Sequence, residues 1–428
     1  MNNKNNLLAL FGGNKTIQKS FKRYNSIGQE ELHAASKVIE SGVLSQFLGC
    51  WDPDFYGGTK VQEFERLCEE VFEVKHAISV NSWTSGLITA IGALDIEPGD
   101  EIIVTPWTMC ATASAILHWN AIPVFADIER ETFNIDPRSV EKNITKNTKA
   151  IMAVDIFGHS CDVEQLSKIA KKHSLILITD SAQAPGVKYN GQVVGTSSDI
   201  GGFSLNYHKH IHTGEGGVIV TNNSELFERC QLIRNHAEAV VEDKGVTKLN
   251  NLVGYNFRLG EIEAAIGIEQ LKKMPSLVKS REKTGLALSK GLKDLKGLKV
   301  PSIKDNCTHA FYCFGLIIDE SSIGVNRETI IKALEAEGVN GLNAGYQLLH
   351  MLPMFQKKIA YGSNGFPWTS DICKRDVSYK KGICPVAEEL HYKSFIAFEM
   401  CHNDMSETDV KLVIAAFHKV WDNLDLLK

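Results

Sequence analysis

GGFSLNYHKHIHTGEGGVIVT, residues 201–221, sets a lysine, Lys209, on the connection between two apolar stretches. Residues 203–205 read as the end of one strand and 216–221 as the next. A lysine is almost never buried without a partner, so on its own Lys209 would read as a solvated loop residue. A connection between core strands, however, is where chemistry concentrates, and a second strand ends at Asp180, 29 residues upstream. A lysine can form an imine with a carbonyl, and a nearby carboxylate favours the protonated form of a ring nitrogen.

The flanks repeat a strand–helix alternation. Residues 76–82, 101–106, 122–128, 150–157 and 175–180 read as strands, and 84–94, 111–120 and 163–173 as helices. The strand stretches are continuously apolar, which predicts a sheet covered on both faces and therefore an α/β core with mostly parallel strands. After Arg258 the pattern changes to an amphipathic helix over 261–273, a strand-like stretch at 309–319, a helix over 327–337 and an irregular segment from 338 to 384. A capping box, Ser406-Glu407-Thr408-Asp409, announces the last helix, with Val410, Leu412, Val413, Ala416, Phe417 and Val420 on its apolar face. The expected division is an N-terminal segment, 1–30, a large domain, 31–258, and a smaller C-terminal α+β domain, 259–428.

A chain of 428 residues is long for one core, and 43% hydrophobic with 23% charged residues is ordinary globular composition. A net charge of −5 without a basic run argues against nucleic acid as the main partner. The stretch Leu7-Leu8-Ala9-Leu10-Phe11 is too short for a signal-peptide core or a membrane span, so a cytoplasmic enzyme is expected. The ten cysteines form no C-x-x-C pair and signal neither a zinc site nor a disulfide framework. His208, His210 and His212 alternate as in a metal-binding strand, but no carboxylate or cysteine stands at ligand spacing, and no metal is expected.

Phe203-Ser204 before Lys209, and Thr213-Gly214-Glu215-Gly216-Gly217 after it, resemble the lysine segment of the DegT/DnrJ/EryC1/StrS sugar aminotransferases. Asp180-Ser181-Ala182-Gln183-Ala184 is similar to that family's D-x-A-Q-A segment, and 80–87 (VNSWTSGL) to its S-G-T-A-A-L phosphate turn. Gly254-Tyr255-Asn256-Phe257-Arg258 is similar to its G-x-N-y-R element, and the order and spacing also match. The resemblance implies a fold-type-I transferase dependent on pyridoxal 5'-phosphate (PLP). It implies an amino group moved from L-glutamate to a keto sugar, nucleotide-linked, in amino-sugar or surface-polysaccharide biosynthesis. Dehydration or epimerisation of a similar sugar, and a PLP-binding regulator without catalysis, are the alternative readings.

The resemblance also assigns roles. Lys209 would carry the cofactor and shuttle the proton, Asp180 would face the pyridine nitrogen, and Gln183 would lie beside the ring. Thr84, Ser85 and Ser204 would hold the phosphate, the first two at a helix N-terminus, and Asn256 would reach the phosphate of the partner in a homodimer. Two departures stand out. Met109 occupies the place of the usual aromatic cover, so that either Met109 or Trp107 would cover the ring. Trp83 replaces a glycine of the phosphate turn and is expected to change the backbone approach there.

Overall fold

The computed structural model describes residues 6–428. Seven strands form the main sheet: β1 (His76–Val80), β2 (Glu101–Val104), β3 (Ile122–Phe125), β4 (Thr148–Val154), β5 (Ile176–Asp180), β6 (Ile200–Ser204) and β7 (Gly217–Thr221). Their order is β1-β7-β6-β5-β4-β2-β3, with β7 antiparallel to both neighbours and the other pairings parallel. The α/β class with a mostly parallel, mixed sheet is therefore the observed fold. The continuous apolar runs are covered on both faces, as such runs require: β2, β3, β6 and β7 are buried at every position.

The helices that matter for the site are α1 (Gln29–Ser41), α2 (Thr59–Phe72), α3 (Trp83–Ala93), α4 (Ala111–His118), α5 (Val163–His173) and α6 (Ser224–Arg234). Ser82 starts α3 by accepting the Ser85 N–H at 3.1 Å, and Asp162 starts α5 by accepting from Gln165 at 3.1 Å, satisfying donors that the helix itself leaves free. Helix α7 (Glu261–Leu292) is longer than the sequence suggests, running through Pro275. Proline inside a helix costs about 3 kcal/mol. Here Leu271, Met274, Val278, Arg281, Gly285, Leu288 and Leu292 are buried at alternating steps of three and four, and that stripe holds the helix on the core on both sides of the proline. Its contacts run from α1 and α2 to the last helix, α9 (Glu407–Trp421).

A second sheet, all antiparallel, takes the order β8-β9-β11-β10 from β8 (Leu298–Lys299), β9 (Phe314–Ile318), β10 (Leu342–Ala344) and β11 (Phe395–Phe398). Helix α8 (Arg327–Ala336) and α9 share its apolar core, with Leu316, Ile318, Leu334, Val413 and Phe417 at the centre. Ser406 and Asp409 form the expected capping box. Two expectations need correction. The strand expected over 309–319 begins only at Phe314, because residues 309–313 bond to the turn that follows β4: Ala310 N–H donates to Gly158 O (2.8 Å) and Tyr312 N–H to Phe157 O (2.9 Å). The segment 338–384, expected to be irregular, contains β10 and a short helix, Pro353–Lys357. No helix among the described residues is long and apolar enough to cross a membrane.

Candidate active site

The carboxyl ends of β1, β2, β4, β5 and β6 open on one cavity, the edge where sheets of this kind receive ligands. Lys209 and Asp180 both line it and are 7% and 4% exposed. Asp180 is the last residue of β5, where the strand carries its carboxylate to the sheet edge. It is thoroughly bound: Oδ1 accepts from Trp83 Nε1 (2.7 Å) and the Ala182 N–H (3.2 Å), and Oδ2 accepts from Thr112 Oγ1 (2.8 Å).

Lys209 is placed by a turn after β6 in which its N–H donates to Asn206 O (2.9 Å) and Thr213 N–H donates back to Leu205 O (3.0 Å). Its ammonium sits 4.4 Å from the centre of the Tyr312 ring. No hydrogen-bond or ion-pair partner of Nζ is found among the described residues. Burial disfavours the charged form and brings the Lys209 pKa down to about 8, with the negative charge of Asp180 opposing the shift. The nitrogen is thus poised as a nucleophile near neutral pH.

Gln183 is fixed at both ends: its Oε1 accepts the Phe157 N–H (2.7 Å) and its Nε2 donates to the Tyr346 hydroxyl (3.3 Å). Ser204 and Thr84 lie on the cavity wall, and the backbone N–H of Thr84, in the first turn of α3, has no acceptor among the described residues. Ser85 does not join them. Its hydroxyl donates to Asn81 Oδ1 (2.7 Å) and its N–H is taken by Ser82, so helix capping uses the groups that an anion would need. Met109 lies on the wall and is 56% exposed. Trp107 is no alternative cover, being fully buried edge-on to Phe395 and tilted against Tyr346. Asn256 is exposed and absent from the wall of its own cavity; its Oδ1 accepts from Arg258 Nε (2.9 Å).

The three alternating histidines diverge rather than share a strand face. His208 lines the cavity, and burial with the neighbouring Lys209 charge lowers its pKa to about 4. His210 is buried with Nε2 at 2.8 Å from Ala310 O, while His212 Nδ1 accepts the Gly214 N–H at 3.3 Å.

Sequence reasoning passed over several groups at this site. Tyr312 and Tyr346 arrive from segments more than 100 residues downstream of Lys209, and no local pattern marks them. Asn206 lines the cavity with a buried Oδ1 that has no partner among the described residues, while its Nδ2 donates to Glu215 (2.9 Å). Trp83 stands inside the quoted stretch 80–87 and Thr112 three residues after Met109, yet their bonds to Asp180 could not be read from spacing.

A family model described as the DegT/DnrJ/EryC1/StrS aminotransferase family matches residues 27–381. The spore coat polysaccharide biosynthesis protein SpsC of Bacillus subtilis is 33% identical over 82% of this chain and 89% of its own length. The UDP-4-amino-4,6-dideoxy-N-acetyl-beta-L-altrosamine transaminase of Helicobacter pylori is 34% identical over 78% of this chain and 84% of its own. Among solved structures, a GDP-4-keto-6-deoxymannose-3-dehydratase with a trapped PLP-glutamate geminal diamine superposes with a TM-score of 0.74 at 25% identity, covering 92% of this chain and 99% of that one.

Proposed function

The chain belongs to the DegT/DnrJ/EryC1/StrS aminotransferase family, and from that premise we propose that it binds PLP through Lys209 and moves an amino group from L-glutamate to a nucleotide-linked keto sugar. The product would serve amino-sugar or surface-polysaccharide synthesis, the setting that the names of SpsC and the Helicobacter pylori transaminase describe. The observation that carries this reading is a buried lysine without a partner among the described residues, in one cavity with a carboxylate held by three donors. The residues present suit the cofactor: an amine for its aldehyde, a carboxylate for its ring nitrogen, and free donors at Thr84 and Ser204 for its phosphate. Asn206 Oδ1 remains as a buried acceptor still to be satisfied.

Bound PLP supplies an electron sink that stabilises negative charge on the carbon losing a proton. The protein does the rest. Lys209 would hold the cofactor through its amine, and its Nζ would carry the proton to and from the substrate carbon. Asp180 holds a proton on the ring nitrogen, which makes the sink effective. Gln183, clamped between the Phe157 N–H and Tyr346, would lie beside the ring, and Met109 would cover its face with a soft sulfur contact. The turn at 45–58, the crossing at 309–314 and the segment at 345–365 would select the sugar.

The proposed assembly is a cytoplasmic homodimer of chains that each divide into 1–30, 31–258 and 259–428. In it Asn256 completes the partner's phosphate site. Exposed apolar side chains on α1 and the segment after it, Leu32, Ile39, Val43, Leu44, Leu48 and Trp51, support a second copy covering that face. An equal mixture of Asn256→Ala and Lys209→Ala subunits should then regain activity, since one site per mixed dimer is intact. No recovery after confirmed subunit exchange would refute the shared site.

The direct test is chemical. Purified protein given PLP should turn yellow, and borohydride should fix the cofactor to the Lys209 peptide; attachment at Lys188 or Lys244 overturns the assignment. L-Glutamate should bleach the yellow form to the amine form of the cofactor. Absence of any change with amino donors would point instead to the regulator reading, whereas a dehydratase would also respond to glutamate and would be told apart by a deoxygenated rather than an aminated sugar product.

A further inference from the structure

Among the three donors that hold Asp180, the indole of Trp83 stands apart in how it is accommodated. Its Nε1–H donates to Asp180 Oδ1 at 2.7 Å, and its ring is 6% exposed. The space for that ring exists because two residues lack a side chain. A Cβ on Gly202 would fall 2.3 Å from Trp83 Cη2 and Cζ3, and one on Gly86 would fall 2.6 Å from Cε3, separations that no carbon pair tolerates. Gly202 is also the β6 residue paired with Asp180 across the parallel β5–β6 register. The indole therefore lies over the strand next to the carboxylate and reaches it from the side.

An ionised carboxylate offers about four acceptor sites. Trp83 and the Ala182 N–H take both sites on Oδ1, and Thr112 takes one on Oδ2, which leaves a single site on Oδ2. The three donors differ in stiffness. The Thr112 hydroxyl can rotate and is shared with Thr108 Oγ1 at 3.1 Å, and the Ala182 contact is the longest of the set. The indole is wedged between α3 and β6 and cannot swing away.

Resting on the reading of the site given above, we propose that Trp83 is a positioning residue: its N–H fixes the plane of the Asp180 carboxylate so that the remaining Oδ2 site meets the ring nitrogen of PLP. The residue that replaces the glycine of the phosphate turn acts on the opposite end of the cofactor from the phosphate. Without the N–H the carboxylate turns, the ring nitrogen loses its proton, and the neutral ring draws less electron density from the Lys209 nitrogen, which then holds its own proton more firmly.

Trp83→Phe removes the donor and keeps an aromatic ring on the α3 side, at the loss of the benzo-ring atoms that lie over Gly202. Borohydride should still trap PLP on Lys209 in this variant. The pH midpoint of the visible absorption should rise by roughly half a unit or more, and the half-reaction with L-glutamate should slow about 10-fold while the glutamate dissociation constant stays within about twofold. A packing role alone would leave the midpoint where it is, so an unchanged midpoint and half-reaction overturn the assignment of Trp83 without touching the proposed function. A wild-type protein that takes no PLP on Lys209 overturns both. Should the variant fail to fold, the indole N–H resonances of the wild-type holoenzyme, from six tryptophans, can be compared with those of Asp180→Ala. One resonance, far downfield in the wild type and moved by the substitution, supports the contact; six unmoved resonances overturn it.

Discussion

Asp180 accepts hydrogen bonds from Trp83, Ala182 and Thr112, whereas Lys209, buried in the same cavity, has the face of Tyr312 beside it and no hydrogen-bond or ion-pair partner for Nζ among the described residues. The first arrangement spends polar groups to hold a charge in place. The second withholds them, and desolvation then brings the lysine pKa down to about 8. One end of the cavity is built to stay as it is and the other to react, and neighbouring strands of one sheet supply both.

The contrast can be broken by removing either end. Lys209→Ala should abolish cofactor trapping and lower turnover by a factor of roughly 1,000 or more, on the order of 4 kcal/mol of barrier, measured against wild type in single-turnover assays. Asp180→Asn keeps the size and loses the charge. It should retain PLP and cost about 100-fold in rate, on the order of 3 kcal/mol; near-normal turnover would mean that another group faces the ring nitrogen.

A third test isolates the bare lysine in the cofactor-free protein. The Lys209 pKa is lowered on folding, from 10.5 to about 8, so below the folded value the native state carries a buried charge at a cost of ~3 kcal/mol. Between the two values the unfolded chain binds more protons than the folded one, and stability should rise with pH. Lys209→Met should remove that rise and be more stable than wild type at pH 7, as judged by urea unfolding across pH 7 to 10. The smallest expected effect is at Tyr346→Phe, which deletes the 3.3 Å contact from Gln183. It should reduce kcat by about threefold, the size expected for one modest neutral hydrogen bond, with PLP retention unchanged by absorbance.

The two ends were not equally legible in the chain. The strands β1 to β7 could be read from continuous apolar runs, since a sheet covered on both faces imposes that pattern locally. Lys209, Asp180, Gln183, Thr84 and Ser204 all line one cavity at the carboxyl edge of the sheet. What could not be read came from contacts distant in sequence. Tyr312 reaches Lys209 because 309–313 bonds to the backbone of residues 157–158, and Tyr346 sits in a segment without periodicity. Ser85 was misplaced because its hydroxyl and N–H were already engaged by Asn81 and Ser82. The far half of α7 was missed because Pro275 is a local stop signal that only the burial of Val278, Arg281 and Leu288 overrides.

The slot for the Trp83 ring also constrains the order in which such a site could have been assembled. With any side chain at position 202 or 86, an indole at 83 has nowhere to go, because the missing Cβ atoms lie within 2.6 Å of it. Gly202 is required in any case by the Val218 carbonyl, 2.1 Å from its missing Cβ, whereas the nearest atoms to the missing Cβ of Gly86 belong to the indole, so position 86 is the one that the tryptophan itself closes to change. A lineage that acquired this indole thus moved through a one-way gate, and grafting Trp83 onto a relative with a glycine there should succeed only where the positions facing it are already bare.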